Sequence, residues 1–100
     1  MKRLNIDLEE RSYDILIGRN ILSKVGELIS KRFKLSKTTI ITHPSIRNLF
    51  GDKIESGLTN IINSCEIIEV PEGESSKSLQ QAKLIYDRML EMKCDRKSAL

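Results

Sequence analysis

The stretch Thr38-Thr39-Ile40-Ile41-Thr42, followed by His43-Pro44-Ser45, decides the fold of this chain. Its first five residues are all β-branched, which predicts a buried strand that stops at the proline. A second strand is predicted from Cys65 to Val70, where Pro71 ends it. Apolar residues at helical spacing lie between these two strands, and two strands joined by a helix form the unit of a parallel sheet.

Upstream of this stretch, the sequence predicts a hairpin and a helix. Period-two alternation indicates two half-buried strands, with apolar positions at Leu4, Ile6 and Leu8 and at Tyr13, Ile15 and Ile17. The short connection between them favours antiparallel pairing. Asn20 is a suitable N-cap for a helix that runs to about Arg32. The apolar stripe of that helix consists of Ile21, Leu22, Val25, Leu28, Ile29 and Phe33.

After this first buried strand, three helices and one further strand are also predicted. Gly51 and Gly57 are expected to divide the helical region into a short helix and a longer one. Its apolar positions are Ile46, Leu49, Phe50, Ile54, Leu58, Ile61 and Ile62. Ser78 and Gln81 match the capping-box pattern, which predicts a helix from there to about Lys93. The apolar face of that helix is formed by Ala82, Ile85, Tyr86, Met89 and Leu90, and Ser98-Ala99-Leu100 is expected to begin a further strand.

The predicted order of elements indicates an α/β fold. An N-terminal β-hairpin is followed by alternating helices and parallel strands, which is typical of a Rossmann-like sheet with helices on its faces. In such sheets, ligands bind beyond the carboxyl ends of the strands.

The composition indicates one small globular domain. The chain has 100 residues, 39% of them hydrophobic and 31% charged, which is sufficient for one core. The 17 basic and 14 acidic residues give a net charge of +3, too nearly balanced to require a nucleic-acid partner. Since no apolar run approaches the about 20 residues of a membrane span, we expect neither nucleic acid nor a membrane as a partner.

The two cysteines favour a cytoplasmic protein. Cys65 and Cys94 lie in or beside apolar stretches, so we expect two free thiols rather than a disulfide, as in a reducing compartment. The chain has no Cys-x-x-Cys pair and no cluster with metal-ligand spacing, and we expect no metal site in it. Neither a G-x-G-x-x-G fingerprint nor a P-loop is present.

Two loops at strand ends are candidates for ligand binding. The loop from Glu72 to Lys77 combines two carboxylates, a glycine, two hydroxyls and an ammonium at a helix N-terminus. Free N–H groups and Lys77 are suited to a phosphate, and a carboxylate such as Glu74 suits a pair of ribose hydroxyls. A solvated loop whose acidic residues stabilise the first helical turn explains the same residues. The other loop contains His43, which is most simply a structural or solvated histidine.

Three segments resemble one family. The motif R-S-Y-x-I-x-I-G, near the start of 3-dehydroquinate synthase, is matched from Arg11 to Gly18. That family's nucleotide-binding loop, P-x-G-E-x-x-K-S-L, is matched from Pro71 to Leu79. Its D-R-x-S-x-L segment is similar to residues 95–100, so the resemblance covers the whole chain.

The resemblance implies that the chain is the N-terminal part of a longer enzyme. The chain is similar to the first part of an NAD-binding domain, cut before a Gly-Gly-Gly-x-x-x-Asp motif. The metal- and substrate-binding C-terminal domain is absent, so no catalytic or metal-ligating residue is expected among residues 1–100. The family converts 3-deoxy-D-arabino-heptulosonate 7-phosphate, a sugar-acid phosphate, to 3-dehydroquinate and phosphate. This reaction of the shikimate pathway, in aromatic amino-acid biosynthesis, uses catalytic NAD and a divalent metal, zinc or cobalt, in a homodimeric enzyme.

The resemblance also implies cofactor-binding residues. The matched loop places Glu72, Gly73, Glu74, Ser75, Ser76 and Lys77 at the NAD, and Glu74 and Lys77 occupy fixed positions of the motif. The loop after the first buried strand approaches the adenosine side, which adds Thr42, His43 and Ser45. The family typically has an Asp where this chain has His43, so this chain departs from the family pattern at that position and offers no carboxylate there.

Two other interpretations account for the same pattern. A related sugar-phosphate cyclase shares it, because the residues that select the substrate lie beyond Leu100. A stand-alone, non-catalytic α/β ligand-binding module is the alternative from a different functional class. The chain by itself is expected to be inactive as a synthase, because it lacks the implied metal ligands.

Overall fold

The computed structural model describes residues 1–59 and 64–100. Its strands are β1 (Lys2–Ile6), β2 (Tyr13–Ile17), β3 (Thr38–Thr42) and β4 (Cys65–Glu69), and its α-helices are α1 (Val25–Ser30), α2 (Pro44–Thr59) and α3 (Leu79–Glu91). Short 3-10 turns cover Glu9–Arg11, Leu22–Lys24 and Glu74–Ser76. The predicted α/β class is confirmed.

β3 is the central strand of the parallel sheet. It pairs with β4 in parallel, from Thr38 opposite Cys65 to Thr42 opposite Glu69. The Thr38 N–H donates to the carbonyl of Ser64, whereas the Thr39 N–H donates to the carbonyl of Ala99. Successive N–H groups of a strand point to opposite edges, so β4 and the Ala99 segment flank β3. A parallel bridge joins Thr38 and Ala99, where the sequence predicts a further strand.

The core lies around the first half of β3. Thr38 and Thr39 are buried, as are Leu58 of α2 and Ile68 of β4, and Thr39 is only 1% exposed. Ile41, farther along the strand, is partly exposed. The prediction of a buried strand is therefore confirmed for the amino-terminal half of β3.

The predicted antiparallel hairpin is present. β1 and β2 pair from Lys2 opposite Ile17 to Ile6 opposite Tyr13, and β1 ends before Leu8. The alternation correctly assigns Tyr13, Ile15 and Ile17 to one face, but these side chains are 47%, 41% and 54% exposed. All three residues are exposed, so the expectation that the apolar face of this strand packs against the core is wrong.

The other face of the hairpin is the one held to the rest of the domain. Its Asp14 pairs with Arg3 within the hairpin, at 3.2 Å, and also lies 3.9 Å from Arg32, which follows α1 and links the hairpin to the rest of the domain. Arg32 also donates a hydrogen bond to the backbone carbonyl of Ser12. These polar contacts orient the hairpin so that its apolar face is turned outward.

The first helix is shorter than predicted, and Asn20 does not cap it. Asn20 has φ of 55°, a left-handed conformation that asparagine tolerates better than most residues. The chain then passes through the 3-10 turn before α1, which ends at Ser30 rather than Arg32. No side-chain cap is formed at Lys24, which precedes α1. Phe33 lies beyond the helix and is exposed.

The region after β3 forms one helix, so the predicted interruption is wrong. Pro44 occupies the first position of α2, where its missing N–H costs nothing. Gly57 remains helical and lies against Gly26 of α1: a Cβ added to Gly26 would be 2.0 Å from the Gly57 carbonyl oxygen. The glycine thus permits two helices to approach closely. The predicted apolar positions Ile61 and Ile62 lie outside the described residues.

The third helix begins as predicted. The Ser78 Oγ accepts a hydrogen bond from the Gln81 N–H, at 3.2 Å, which confirms the N-cap. The helix ends at Glu91 rather than Lys93, because Lys93 adopts a positive φ of 56°. Lys37 Nζ donates to the carbonyl of Lys93, at 3.0 Å, and thereby ties this end of the helix to the start of β3.

The two cysteines are free and half-buried, as predicted. Burial, with the neighbouring carboxylates of Glu55 and Glu66, raises the pKa of the Cys65 thiol above its ordinary value.

Candidate functional site

The two predicted loops meet at the carboxyl edge of the parallel sheet. Because β3 and β4 are adjacent and parallel, their last residues lie side by side. The Val70 N–H donates to the carbonyl of Thr42, at 2.8 Å, and continues the pairing just beyond β4. This bond fixes the spacing between the start of α2 and the loop that follows Val70.

Glu72 is the residue that joins the two loops. Its carboxylate accepts a hydrogen bond from the Ser45 hydroxyl, in the first turn of α2. Its Oε1 also lies 3.1 Å from Nδ1 of His43. That nitrogen is shielded from solvent and forms no hydrogen bond with the described residues, so the contact is one of proximity. The predicted residues His43, Ser45 and Glu72 therefore form one cluster.

Gly73 makes the turn that follows. Its φ of 89° is disfavoured for other residues, and a Cβ there would meet open space. The turn is closed by Ser76, whose hydroxyl donates to the Gly73 carbonyl, at 2.9 Å. Ser76 therefore has a clear local role in shaping the loop.

Glu74 and Lys77 lie on the outer side of this turn. Lys77 Nζ is 3.2 Å from Glu74 Oε1, and both side chains are exposed. Ser75 is also exposed, whereas Thr42 is half-buried at the end of β3. Since exposed ion pairs contribute little to stability, this pair leaves both charges accessible to a ligand.

The sequence interpretation missed one ion pair beside the site. Arg47 of α2 lies 2.9 Å from Glu69 at the end of β4. The two residues also line a groove of about 360 Å³ that extends along α3 to Arg88. No local signal marks this pair, because it depends on α2 crossing the end of a strand that is distant in sequence.

The described part of the chain offers neither a metal site nor a membrane-spanning helix. Among residues 1–59 and 64–100, no group of three or more His, Cys, Asp and Glu side chains could hold a metal ion. Within the same residues, no helix is long and apolar enough to cross a membrane.

The curated proteins to which this chain is similar include several 3-dehydroquinate synthases. The chain is 33% identical over 100 residues to the 3-dehydroquinate synthase of Pelotomaculum thermopropionicum, covering 100% of this chain and 27% of the relative. The synthase of Ruthia magnifica is 34% identical over 102 residues, with the same coverage. The resemblance to 3-dehydroquinate synthase is confirmed. The chain spans about a quarter of the length of these synthases, and no protein-family model matches it.

Solved structures support the fold. A crystal structure of 2-deoxy-scyllo-inosose synthase matches with a TM-score of 0.82 and 16% identity, over 98% of this chain and 27% of that one. A second structure of that enzyme, complexed with carbaglucose-6-phosphate, NAD+ and Co2+, matches with the same TM-score and identity. At this identity the likeness shows the fold alone: the chain shares the α/β fold of the matched part of that synthase.

Proposed function

We propose that residues 1–100 form the N-terminal, NAD-binding part of a 3-dehydroquinate synthase. The complete enzyme would convert 3-deoxy-D-arabino-heptulosonate 7-phosphate to 3-dehydroquinate and phosphate. The observation that carries this proposal is the similarity of the entire chain to about a quarter of several curated synthases. The substrate and a divalent zinc or cobalt ion would be held by the C-terminal domain, outside this chain.

The sheet supports a Rossmann-like arrangement for this domain. β3 lies between β4 and the Ala99 segment, and both are parallel to it. After α3 the chain therefore crosses to the side of β3 opposite β4. This reversal of direction is where open α/β sheets bind dinucleotides. In this proposal β3 and β4 are the first two strands of the nucleotide-binding sheet.

The residues at the carboxyl edge fit a dinucleotide. They offer an exposed ammonium at Lys77, the exposed carboxylates of Glu72 and Glu74, and a turn at Gly73 with open space above its Cα. The shielded Nδ1 of His43, which lacks an aligned hydrogen bond, is a further polar group at this edge. We propose that these residues, with Thr42, Ser45, Ser75 and Ser76, bind and orient NAD. When bound, NAD supplies hydride acceptance and return.

We propose further that the enzyme is a cytoplasmic homodimer. Two free, half-buried thiols are typical of a reducing compartment. The apolar hairpin face formed by Leu4, Tyr13, Ile15 and Ile17 is exposed, and a two-fold interface buries the same patch of both copies. Sedimentation should therefore detect self-association that Ile15→Lys weakens, and a strict monomer at high concentration would count against it.

A titration with NAD tests the proposed binding site. In the ¹⁵N-labelled chain, the amides of residues 42–45 and 72–77 are expected to shift on addition of NAD, whereas those of β1 and β2 are not. Lys77→Gln should weaken the response, and Lys31→Gln, an exposed lysine of the same charge beside α1, should leave it unchanged. The expected affinity is weaker than micromolar, because only part of the cofactor site is present. Shifts confined to other regions, or none at all, would overturn the proposal.

The chain alone is expected to release no phosphate from the heptulosonate phosphate. The described residues contain no group able to hold the divalent ion that the family requires. Turnover by this chain alone, measured as phosphate release, would contradict the proposal that the C-terminal domain holds the substrate and the divalent ion.

A further inference from the structure

The fold gathers cations at the amino edge of the parallel sheet, at the opposite end of β3 from the candidate site. Residues 31–37 lead into β3, and residues 93–97 lead into the Ala99 segment beside it. These two segments hold seven of the 17 basic residues of the chain and one of its 14 acidic residues. The seven, which we call the amino-edge patch, are Lys31, Arg32, Lys34, Lys37, Lys93, Arg96 and Lys97.

Direct contacts join the two segments into one surface. The Ser36 N–H donates to the carbonyl of Lys97, at 3.1 Å, and the Ser36 hydroxyl donates to the Asp95 carboxylate, at 2.7 Å. Lys37 Nζ donates to the carbonyl of Lys93, at 3.0 Å, although the two residues are 56 positions apart in the chain. The cations of both segments therefore lie on the same side of the molecule.

Four cations of the patch can be reached by a partner. Lys34, Lys93, Arg96 and Lys97 are exposed, and none of them forms an ion pair with a carboxylate in the part of the chain that the structure describes. The other three are already engaged by a carboxylate or by backbone carbonyls. Asp95, the acidic residue among them, accepts hydrogen bonds within its own loop and from Ser36.

The patch also contains an exposed aromatic ring. Phe33 lies between Arg32 and Lys34 in the chain and is 57% exposed. The Arg32 guanidinium lies 6.0 Å from the centroid of the ring. Aromatic residues and arginine are enriched where proteins bind one another, so the ring adds an apolar contact to a charged surface.

We propose that the amino-edge patch docks a short acidic segment of another protein, with an apolar side chain of that segment against Phe33. The inference goes beyond the proposed function, because β3 has five residues and separates the patch from the NAD loops by about 16 Å. A partner bound there leaves the carboxyl edge open. Complementary charges would speed its association and fix its orientation.

The distribution of charge favours a short protein segment over a nucleic acid or a membrane. The whole chain has a net charge of +3, so the residues outside the two segments are negative overall and would repel an extended polyanion. Single-stranded nucleic acid is bound through stacking of successive bases, whereas the patch contains one aromatic ring. An extended segment of about six residues spans about 20 Å, which fits within the smallest dimension of the molecule, 28 Å.

Fluorescence anisotropy with a labelled peptide tests the proposal. The probe is a short glutamate-rich peptide with one central leucine, and its glutamine-rich version is the uncharged control. The glutamate peptide should bind at low ionic strength, whereas the control should not. Raising the salt from about 50 mM to about 500 mM should weaken binding about tenfold. In the ¹⁵N-labelled chain, the peptide should shift amides of residues 31–37 and 93–97 and leave residues 72–77 unchanged.

A pair of double variants separates the patch from the total charge. Lys34→Gln combined with Lys97→Gln should weaken peptide binding about five- to tenfold, as expected for the loss of two exposed ion pairs. Lys53→Gln combined with Lys83→Gln removes the same charge from exposed lysines of α2 and α3 and should change the affinity by less than about twofold. Phe33→Ser should remove the preference for the leucine peptide over a version with glycine in its place.

The remaining outcomes would overturn the proposal. If the glutamate peptide does not bind at low ionic strength, or if both double variants weaken it equally, the amino-edge patch is not a docking surface. If a single-stranded oligouridylate binds the same residues more tightly than the peptide, the partner is a nucleic acid and the assignment of an acidic protein segment is wrong.

Discussion

Replacing Gly26 with alanine is expected to destabilise the protein, although alanine is the better helix former. The added Cβ would lie 2.0 Å from the Gly57 carbonyl oxygen, 3.1 Å from its carbonyl carbon and 3.2 Å from the Leu58 Cα. All three are backbone atoms, so no side-chain rotation relieves the clash. Since carbon–oxygen contacts are normally about 3.3 Å or longer, α1 and α2 must separate by about 1 Å, which loosens the buried Leu58.

The expected loss of stability in Gly26→Ala is the balance of two opposing effects. Overpacking a tight contact costs about 1–3 kcal/mol, with the upper end expected against rigid backbone, and alanine in a helix recovers about 1 kcal/mol relative to glycine. A net loss of about 2 kcal/mol lowers the melting temperature by about 8–16 °C in a domain of this size.

Thermal unfolding followed by far-UV circular dichroism measures this shift. Gly51→Ala is the matched control, because its Cβ would meet only the flexible Arg47 side chain, at 3.2 Å. That variant should be unchanged or up to about 1 kcal/mol more stable. If Gly26→Ala melted at or above the wild-type temperature while Gly51→Ala behaved as expected, close helix approach would not explain why glycine occurs at position 26.

Three further outcomes are expected. Ser78→Ala removes the acceptor for the Gln81 N–H and should cost about 1 kcal/mol in urea unfolding, which Ser78→Thr should largely recover. A hydrogen bond from Ser36 is the main cause that lowers the pKa of Asp95. The ionised carboxylate therefore stabilises the fold fully above the ordinary pKa of an aspartate, and this stabilisation is lost as the pH falls through the lowered pKa. Asp95→Asn should flatten this acid-side loss, and an unchanged pH profile would contradict the assignment. Because burial raises the pKa of Cys65, its alkylation rate should reach half-maximum at higher pH in the native protein than in urea.

The helix cap and the strands were predictable from the sequence because each depends on residues that are close together in the chain. The N-cap at Ser78 depends on a residue three positions away, and the strand segments follow from runs of β-branched or alternating residues. The meeting of the two loops at the sheet edge followed from one topological rule, that consecutive parallel strands end on the same side.

Features that depend on distant neighbours could not be predicted in this way. Gly57 resembles a helix breaker in the sequence, and only its contact with Gly26 explains its position inside α2. The alternation in β2 identifies an apolar face but not whether anything covers it. The pairing of Glu72 with His43 depends on the spacing between two loops, which no pattern within either loop encodes.

The position of β3 between two partners has a consequence for synthesis of the chain. Its Thr39 N–H is satisfied by Ala99, a residue made long after β3 itself. At about 5–20 residues per second, roughly 60 intervening residues take about 3–12 s to appear. During that interval one edge of β3 stays open even if β4 has already docked, and open strand edges are templates for pairing with other chains. The nascent protein therefore passes through an aggregation-sensitive window that closes when the segment at Ala99 arrives.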